Sequence, residues 1–298
     1  MSANADIQTS ASFRIRAAAI IAHLRFRYSL LLAPPFLLAW ALAPTSQRFS
    51  LSALVTGLAL QWGLYPASQG INSFHDQDQG PIGGLENPPP VDPFLAPVSQ
   101  GLDLAAILVL TALDLGAGLL ALAYSLASRA YSHRAIRLKA RPWLGWGVVT
   151  FFQGPVIVLL VGRALKAPLP LEAAILSALF FAGSYPLTQI YQHEEDARRG
   201  DLTLSRVLGV AGTFRWWLAW SGLAGALFGW FFWKRMAAPA LTLLFVGALL
   251  PSFLQTVRWW KKSTGANGQT PGHRDAMQGA WLASGGLCLF LILLGVLN

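Results

Sequence analysis

Apolar runs separated by short polar segments fill nearly the whole chain from residue 28 onward. A helix needs about 20 apolar residues to cross a bilayer, and runs near that length predict spans over 28–44, 51–73, 98–113, 115–131, 143–163, 170–192, 212–233, 237–258 and 277–297. Ahead of them, "SFRIRAAAIIAHLRFRYS" mixes Arg14, Arg16, Arg25 and Arg27 with Phe13, Ile15, Ile20 and Leu24. That mixture suits an interfacial helix or a basic flank of the first span.

The stretch 98–131 is short for two crossings and long for one, and charge decides between them. With nine spans and the N terminus inside, the inner segments hold Arg14, Arg16, Arg25, Arg27, Arg129, Arg134, Arg137, Lys139, Arg141, Arg198, Arg199, Arg206, Arg215, Arg258, Lys261, Lys262 and Arg274. Only Arg48, Arg163, Lys166, Lys234 and Arg235 fall outside, as the positive-inside rule asks. A single crossing would reverse every later loop and violate the rule. A tight break is therefore expected at "DLGAG", Asp114 to Gly118, with Asp103 and Asp114 both marking helix ends.

Composition agrees with this picture. Of 298 residues 54% are hydrophobic and 12% charged, and a mean hydropathy of +0.49 excludes an ordinary soluble domain. The expected architecture is all-α: a tail and basic segment over 1–27, then one membrane domain over 28–298. The net charge of +9 does not indicate nucleic acid, because the cations sit between apolar runs rather than on one polar face. Residues Met1 to Ser12 lack the apolar core and cleavage pattern of a signal peptide, so a retained N terminus is expected. The single cysteine, Cys288, has no intrachain partner and reads as a small buried side chain.

Eight of the thirteen carboxylates lie in two loops, Asp76, Asp78, Glu86 and Asp92 after the second span and Glu194, Glu195, Asp196 and Asp201 after the sixth. In the nine-span arrangement both loops face the cytoplasm. Asn72 and Asp76 stand four residues apart, as do Gln192 and Asp196, so each pair shares a helix face. Oxygen ligands of this kind suit a hard divalent cation, and Mg2+ commonly takes one or two carboxylates plus phosphate oxygens. A phosphate-bearing ligand is implied, with Arg134, Arg137, Lys139, Arg198 and Arg199 near enough in sequence to hold its remaining charge. His75 and His193 adjoin the acids, but one histidine per cluster makes an iron or zinc site a weak alternative. Surface pairing of acids with bases and lipid head groups would leave four carboxylates in each short segment to be compensated.

These motifs together resemble the UbiA superfamily of intramembrane prenyltransferases. "NSFHDQDQG", Asn72 to Gly80, is similar to the family's first motif, NDxxDxxxD; "QHEEDARRG", Gln192 to Gly200, is similar to its second, DxxxDxxxG. "YSHRAIRLKARPWLG", from Tyr131, resembles its tyrosine and lysine loop. The departures are Ser73 and Gly80 in the first motif with Asp78 as an added acid, and Gln192 in the second where an aspartate is usual.

The resemblance implies nine helices around a central cavity, with both motifs on the cytoplasmic side of the inner membrane and the C terminus outside. It implies Mg2+ on Asp76, Asp78, Glu195 and Asp196, and a diphosphate bound by Asn72, Tyr131, Arg137, Lys139, Tyr191, Gln192, Arg198 and Arg199, with Asn72, Asp76, Lys139 and Asp196 central to catalysis. The partners implied are an isoprenoid diphosphate, a lipophilic acceptor and the bilayer; no obligate protein partner is inferred. Phe74, Tyr131, Phe151, Phe152, Tyr185 and Tyr191 are candidates for facing an allylic cation. The main alternative is a cyclase on the same scaffold, in which the cation is attacked by its own double bonds. A noncatalytic membrane partner and a transporter rank below both.

Overall fold

The computed structural model describes residues 2–265 and 272–297, with side chains from residue 13 onward. Helices account for all its regular structure apart from a single bridge between Ile82 and Leu85. Five of them are long and apolar enough to cross a membrane: Leu95–Leu113, Pro142–Ala164, Leu171–Arg199, Ala240–Thr264 and His273–Leu297. The other expected spans form shorter or interrupted helices, and each interruption has a local cause.

Residues 26–42 are divided into Phe26–Ser29, the 3-10 turn Leu30–Leu32 and Pro34–Leu42, with two prolines opening the last piece where their missing N–H groups do no harm. Residues 51–76 run through a π-helical stretch, Ala59–Leu64, between Leu51–Leu58 and Tyr65–Asp76. Helix Leu204–Met236 contains Gly209 at φ 67, ψ 171, a break only glycine makes without strain. The break comes just before the apolar run predicted to begin at 212.

The stretch 98–131 is two helices. Leu95–Leu113 ends at Asp114, whose extended backbone starts Leu115–Ser132 and whose carboxylate accepts the Ala117 N–H at 3.0 Å. The two helices pack as an antiparallel pair, since Asp103 reaches Arg129 at 2.7 Å. At their junction a Cβ on Gly118 would lie 2.0 Å from Thr111 Oγ1. Asp114 thus marks a helix end as expected, but Asp103 does not. It lies within Leu95–Leu113, 4% exposed, bonded to Ser125 and Arg129. An apolar run can carry a buried carboxylate when its neighbour supplies the counter-charge.

Leucines such as Leu104, Leu108, Leu119, Leu126, Leu243 and Leu244 are exposed on the outside, as a lipid-facing surface requires. Inside, Phe228, Phe231, Phe232, Phe245 and Phe290 pack ring against ring. Contacts at one end of the bundle join Gln47 to Lys166, Arg48 to Gly295, Asp114 to Arg163 and Glu172 to Arg235. The acidic segments meet at the other end. Helix Ser2–Leu24 lies at that end too, held by Arg16 on Asp92 at 2.8 Å and by His23 on the Pro89 carbonyl at 2.7 Å. Its Phe13 and Ile15 are exposed, which fits the interfacial reading of this segment.

Candidate functional site

Helix Tyr65–Asp76 presents Gln69, Asn72 and Asp76 at spacings of three and four, on one face. Asn72 Nδ2 donates to Asp76 Oδ2 at 2.8 Å and to Ser132 Oγ at 3.1 Å, which fixes the carboxylate. Gln77 then takes a left-handed conformation, φ 51, ending the helix and swinging Asp78 toward the second acidic segment.

Helix His193–Arg199 carries that segment, and Gly200 at φ 75 closes it. Arg199 joins the two loops, bonding Asp78 at 2.5 Å and Glu195 at 2.6 Å. Glu195 also accepts the Gln79 N–H at 3.2 Å. A Cβ on Gly80 would sit 2.8 Å from Glu195 Oε2. Two of the three departures in the first motif therefore belong together: Asp78 supplies the acid that holds Arg199, and Gly80 leaves room for Glu195.

The loop after Ser132 brings the cations. Arg137 is held at φ 44, a conformation that costs a non-glycine residue about 1 kcal/mol or more. It donates to both oxygens of Asp201 at 2.6 Å and lies 3.5 Å from Asp76. Lys139, two residues on, makes an ion pair with Asp76. Arg137, Lys139 and Arg199 each face a carboxylate, while Arg134 donates to the His75 carbonyl, so the mutual repulsion of the acids is relieved within the protein.

These groups crown a cavity of about 330 Å³. Asn72, Asp76, Asp78, Tyr131, Lys139, Tyr191, Gln192, Asp196 and Arg199 line it, whereas Arg137 and Glu195 stand behind the wall as braces and Arg198 is exposed to the outside. Deeper in, the wall is apolar, with Leu31, Val149, Phe152, Phe181 and Leu287 among its residues. Of the candidate aromatic residues Tyr131, Phe152, Tyr185 and Tyr191 line the cavity; Phe74 and Phe151 do not. His75 packs on His133, and His193 bonds Ser205 at 2.8 Å, so neither histidine joins the acids.

Sequence reasoning missed Gln69, Gln153, Arg25 and Asp201 as lining or bracing residues. Gln69 was within reach, since it continues the helix face of Asn72 and Asp76. Arg25 gave no signal among four similar arginines. A left-handed backbone at φ 48 turns it inward, where it donates to the carbonyls of Gly83 and Gln69, each at 3.1 Å.

Burial and then the Asp76 charge raise the Asp78 carboxyl above its ordinary value, against the pull of Arg199. Such a carboxyl is poised to gain from a cation. Among the described residues no three acidic, histidine or cysteine side chains converge closely enough to enclose a metal by themselves. The oxygen donors are divided between two segments across the cavity, an arrangement that suits hard ions completed by ligand oxygens.

The UbiA prenyltransferase family model matches residues 98–270, more than half of the chain, and the chain belongs to that family. The match includes the lysine loop and the second acidic segment but not Asn72 to Gly80. Solved structures share the fold. A UbiA homologue from Archaeoglobus fulgidus bound to GPP and Mg2+ aligns with a TM-score of 0.69 at 16% identity, over 93% of this chain and 99% of that one. The same homologue bound to DMAPP and Mg2+ gives 0.67 at 14% identity, over 94% and 99%. A digeranylgeranylglyceryl phosphate synthase gives 0.59 at 14% identity, over 95% and 99%. No curated protein sequence matches the chain.

Proposed function

We propose that this protein is a Mg2+-dependent intramembrane prenyltransferase, moving a prenyl group from an isoprenoid diphosphate to an aromatic or other lipophilic acceptor with release of diphosphate. One observation carries the reading: Asp76, Asp78, Asp196, Lys139 and Arg199 meet at the polar end of a cavity whose deeper wall is apolar. An amphipathic cavity fits an amphipathic ligand, with the diphosphate among the charges and the chain among the apolar side chains. The relatives bound to GPP or DMAPP with Mg2+ support the same reading.

In this reading Asp76, Asp78 and Asp196, with the Asn72 amide beside them, hold the metal, and Glu195 holds Arg199 in place. Mg2+ supplies positive charge against the leaving diphosphate oxygen. Lys139 pairs with Asp76, and Arg199 with Asp78 and Glu195; they exchange those partners for phosphate oxygens as donor binds. Gln192 and Tyr191 flank the diphosphate, Arg137 steadies Asp76 and Asp201, and exposed Arg198 contributes only long-range charge. The allylic carbon to oxygen bond breaks with its electron pair going to diphosphate. Tyr131, Tyr185 and Phe152 face the cation left behind, and the acceptor closes the new bond and sheds a proton.

We place nine crossings around this cavity, with the site end cytoplasmic and the last helix ending on the outer side of the inner membrane. The distribution of arginine and lysine supports that orientation, as do the positions of Arg16 and Gly295 at opposite ends of the bundle. The reading requires no obligate protein partner. Its test is purified protein in lipid with geranyl diphosphate, Mg2+ and a panel of lipophilic acceptors, analysed by mass spectrometry. A prenylated acceptor is the expected product. A cyclic terpene formed without acceptor would assign the protein to the cyclase alternative, and no Mg2+-dependent diphosphate release with any donor would contradict both.

A further inference from the structure

Pro186 lacks the N–H that would continue helix Leu171–Ala182, and the chain tightens into a 3-10 stretch, Pro186–Gln192. The turn sets Tyr185 against Gln189, four residues on, and both line the cavity. Gln189 is 6% exposed, and each end of its amide has a partner. Its Oε1 accepts the Ser205 N–H at 3.3 Å, and its Nε2 donates to the Tyr185 hydroxyl at 2.8 Å. Tyr185 in turn shares a hydrogen bond of 2.5 Å with the hydroxyl of Tyr131.

The direction of this series is fixed at its buried end. Ser205 stands in the first turn of helix Leu204–Met236, where backbone N–H groups have no partner within the helix. An N–H can only donate, so the amide oxygen must face it and the amide nitrogen must face Tyr185. The Tyr185 oxygen therefore receives a hydrogen, and a hydroxyl that accepts on its oxygen donates more strongly. Its own hydrogen goes to the Tyr131 oxygen. That leaves the Tyr131 hydrogen as the free end, with no partner among the described residues. Tyr131 lines the cavity, and its hydroxyl is near enough to feel the charges of Asp76 and Asp196. The next residue, Ser132, accepts from the Asn72 amide that holds Asp76. The free donor thus stands toward the acidic end of the cavity.

We infer that Gln189 and Tyr185 are positioning residues, which together turn the Tyr131 hydroxyl hydrogen toward a diphosphate oxygen. The inference rests on the proposed diphosphate site, but the direction of a hydrogen bond is read by binding alone. The probe is inorganic pyrophosphate with Mg2+, titrated calorimetrically into the full chain in detergent. Gln189→Glu keeps the shape and reverses the direction, since an ionised carboxylate accepts from both Ser205 and Tyr185. Tyr185 then takes the Tyr131 hydrogen onto its own oxygen, and the ligand loses its donor. Measured at a pH high enough that the variant's binding no longer changes, pyrophosphate is expected to bind about tenfold more weakly, the worth of one charge-assisted hydrogen bond.

The decisive variant adds Tyr185→Phe to Gln189→Glu. With no hydroxyl at 185 nothing draws the Tyr131 hydrogen away, and binding should return to the level of Tyr185→Phe alone. A loss that Tyr185→Phe does not relieve is a plain charge effect and overturns the inference, as does a Gln189→Glu protein that binds like wild type. If Gln189→Glu fails to fold, the two tyrosines give the second reading. Tyr131→Phe should weaken pyrophosphate about tenfold and Tyr185→Phe much less, because only Tyr131 donates to the ligand; equal losses overturn the direction. The two proposals fail separately. The expected binding pattern without diphosphate release from any donor sinks the transferase, while release by the wild type with the pattern absent sinks the positioning role.

Discussion

Lys139 and Asp76 form a nearly dry ion pair at the mouth of the cavity, their side chains 12% and 4% exposed. Neither residue is free: Asn72 and Arg137 hold the same carboxylate. A pair this enclosed is costly to break one partner at a time, so the site holds a charged latch that a metal and a diphosphate together can open. Lys139→Ala should therefore both leave Asp76 with the more distant Arg137 as its counter-charge and weaken donor binding. The expected outcome is a rise of about tenfold or more in donor KM, read from steady-state kinetics. Lys139→Arg should recover part of the loss.

Gln192 lines the cavity next to Asp196 but carries no charge. Gln192→Asp is expected to lower the Mg2+ concentration for half-maximal activity several-fold, because a carboxylate outranks an amide as a ligand for a hard ion. An unchanged Mg2+ titration would make the glutamine a bystander.

At position 80 the expectation is set by space. Gly80→Ala puts a methyl group 2.8 Å from the present position of Glu195 Oε2, so the carboxylate must turn, and turning it strains the bonds that its other oxygen makes to Gln79 N–H and Arg199. Loss of one such charge-assisted bond, on the order of 1.5 kcal/mol, should raise donor KM roughly tenfold. Wild-type kinetics in this variant would show that the brace is dispensable.

The raised Asp78 carboxyl sets a pH dependence. Burial and the Asp76 charge hold it above its ordinary value of 3.8, so its contribution to stability is fully present below that value and is lost as pH rises through the folded one. The melting temperature of the protein in EDTA should fall over that range, and Asp78→Asn should flatten the fall. Protons and Mg2+ compete for the same oxygens, so half-maximal Mg2+ should rise as pH falls through the same range.

Away from the site, Arg129 neutralises Asp103 inside the helix pair 95–132. Arg129→Ala leaves a buried carboxylate with the Ser125 hydroxyl but no counter-charge and should cost about 3 kcal/mol, visible as a lower melting temperature in detergent. Donor KM should not move.

Much of this was legible in the sequence because membrane helices announce themselves by length and apolarity. The break at Asp114 was legible too, since only two crossings keep the arginines on one side. Asp103 was misjudged for a physical reason: a lone acid in an apolar run looks like an end until its partner, 26 residues on, is brought alongside. In the site, the four-residue spacings placed Asn72 with Asp76 and Gln192 with Asp196 on the cavity wall. The spacing gave no way to tell that Arg137 and Glu195 brace from behind, or that Arg198 faces outward while Arg199 faces in. Those distinctions depend on left-handed turns at Gln77, Arg137 and Gly200, and only Gly200 belongs to a residue type that advertises one. Arg25 was invisible for the same reason.

The most direct test of the central claim measures diphosphate release from geranyl diphosphate by the wild-type protein, Asp76→Ala and Asp196→Ala, each purified and confirmed folded, with Mg2+ and with EDTA. The expected result is Mg2+-dependent release by the wild type and a loss of about a thousandfold or more in each variant. Near-normal release by either variant, or release unaffected by EDTA, would contradict a metal site shared by the two acidic segments.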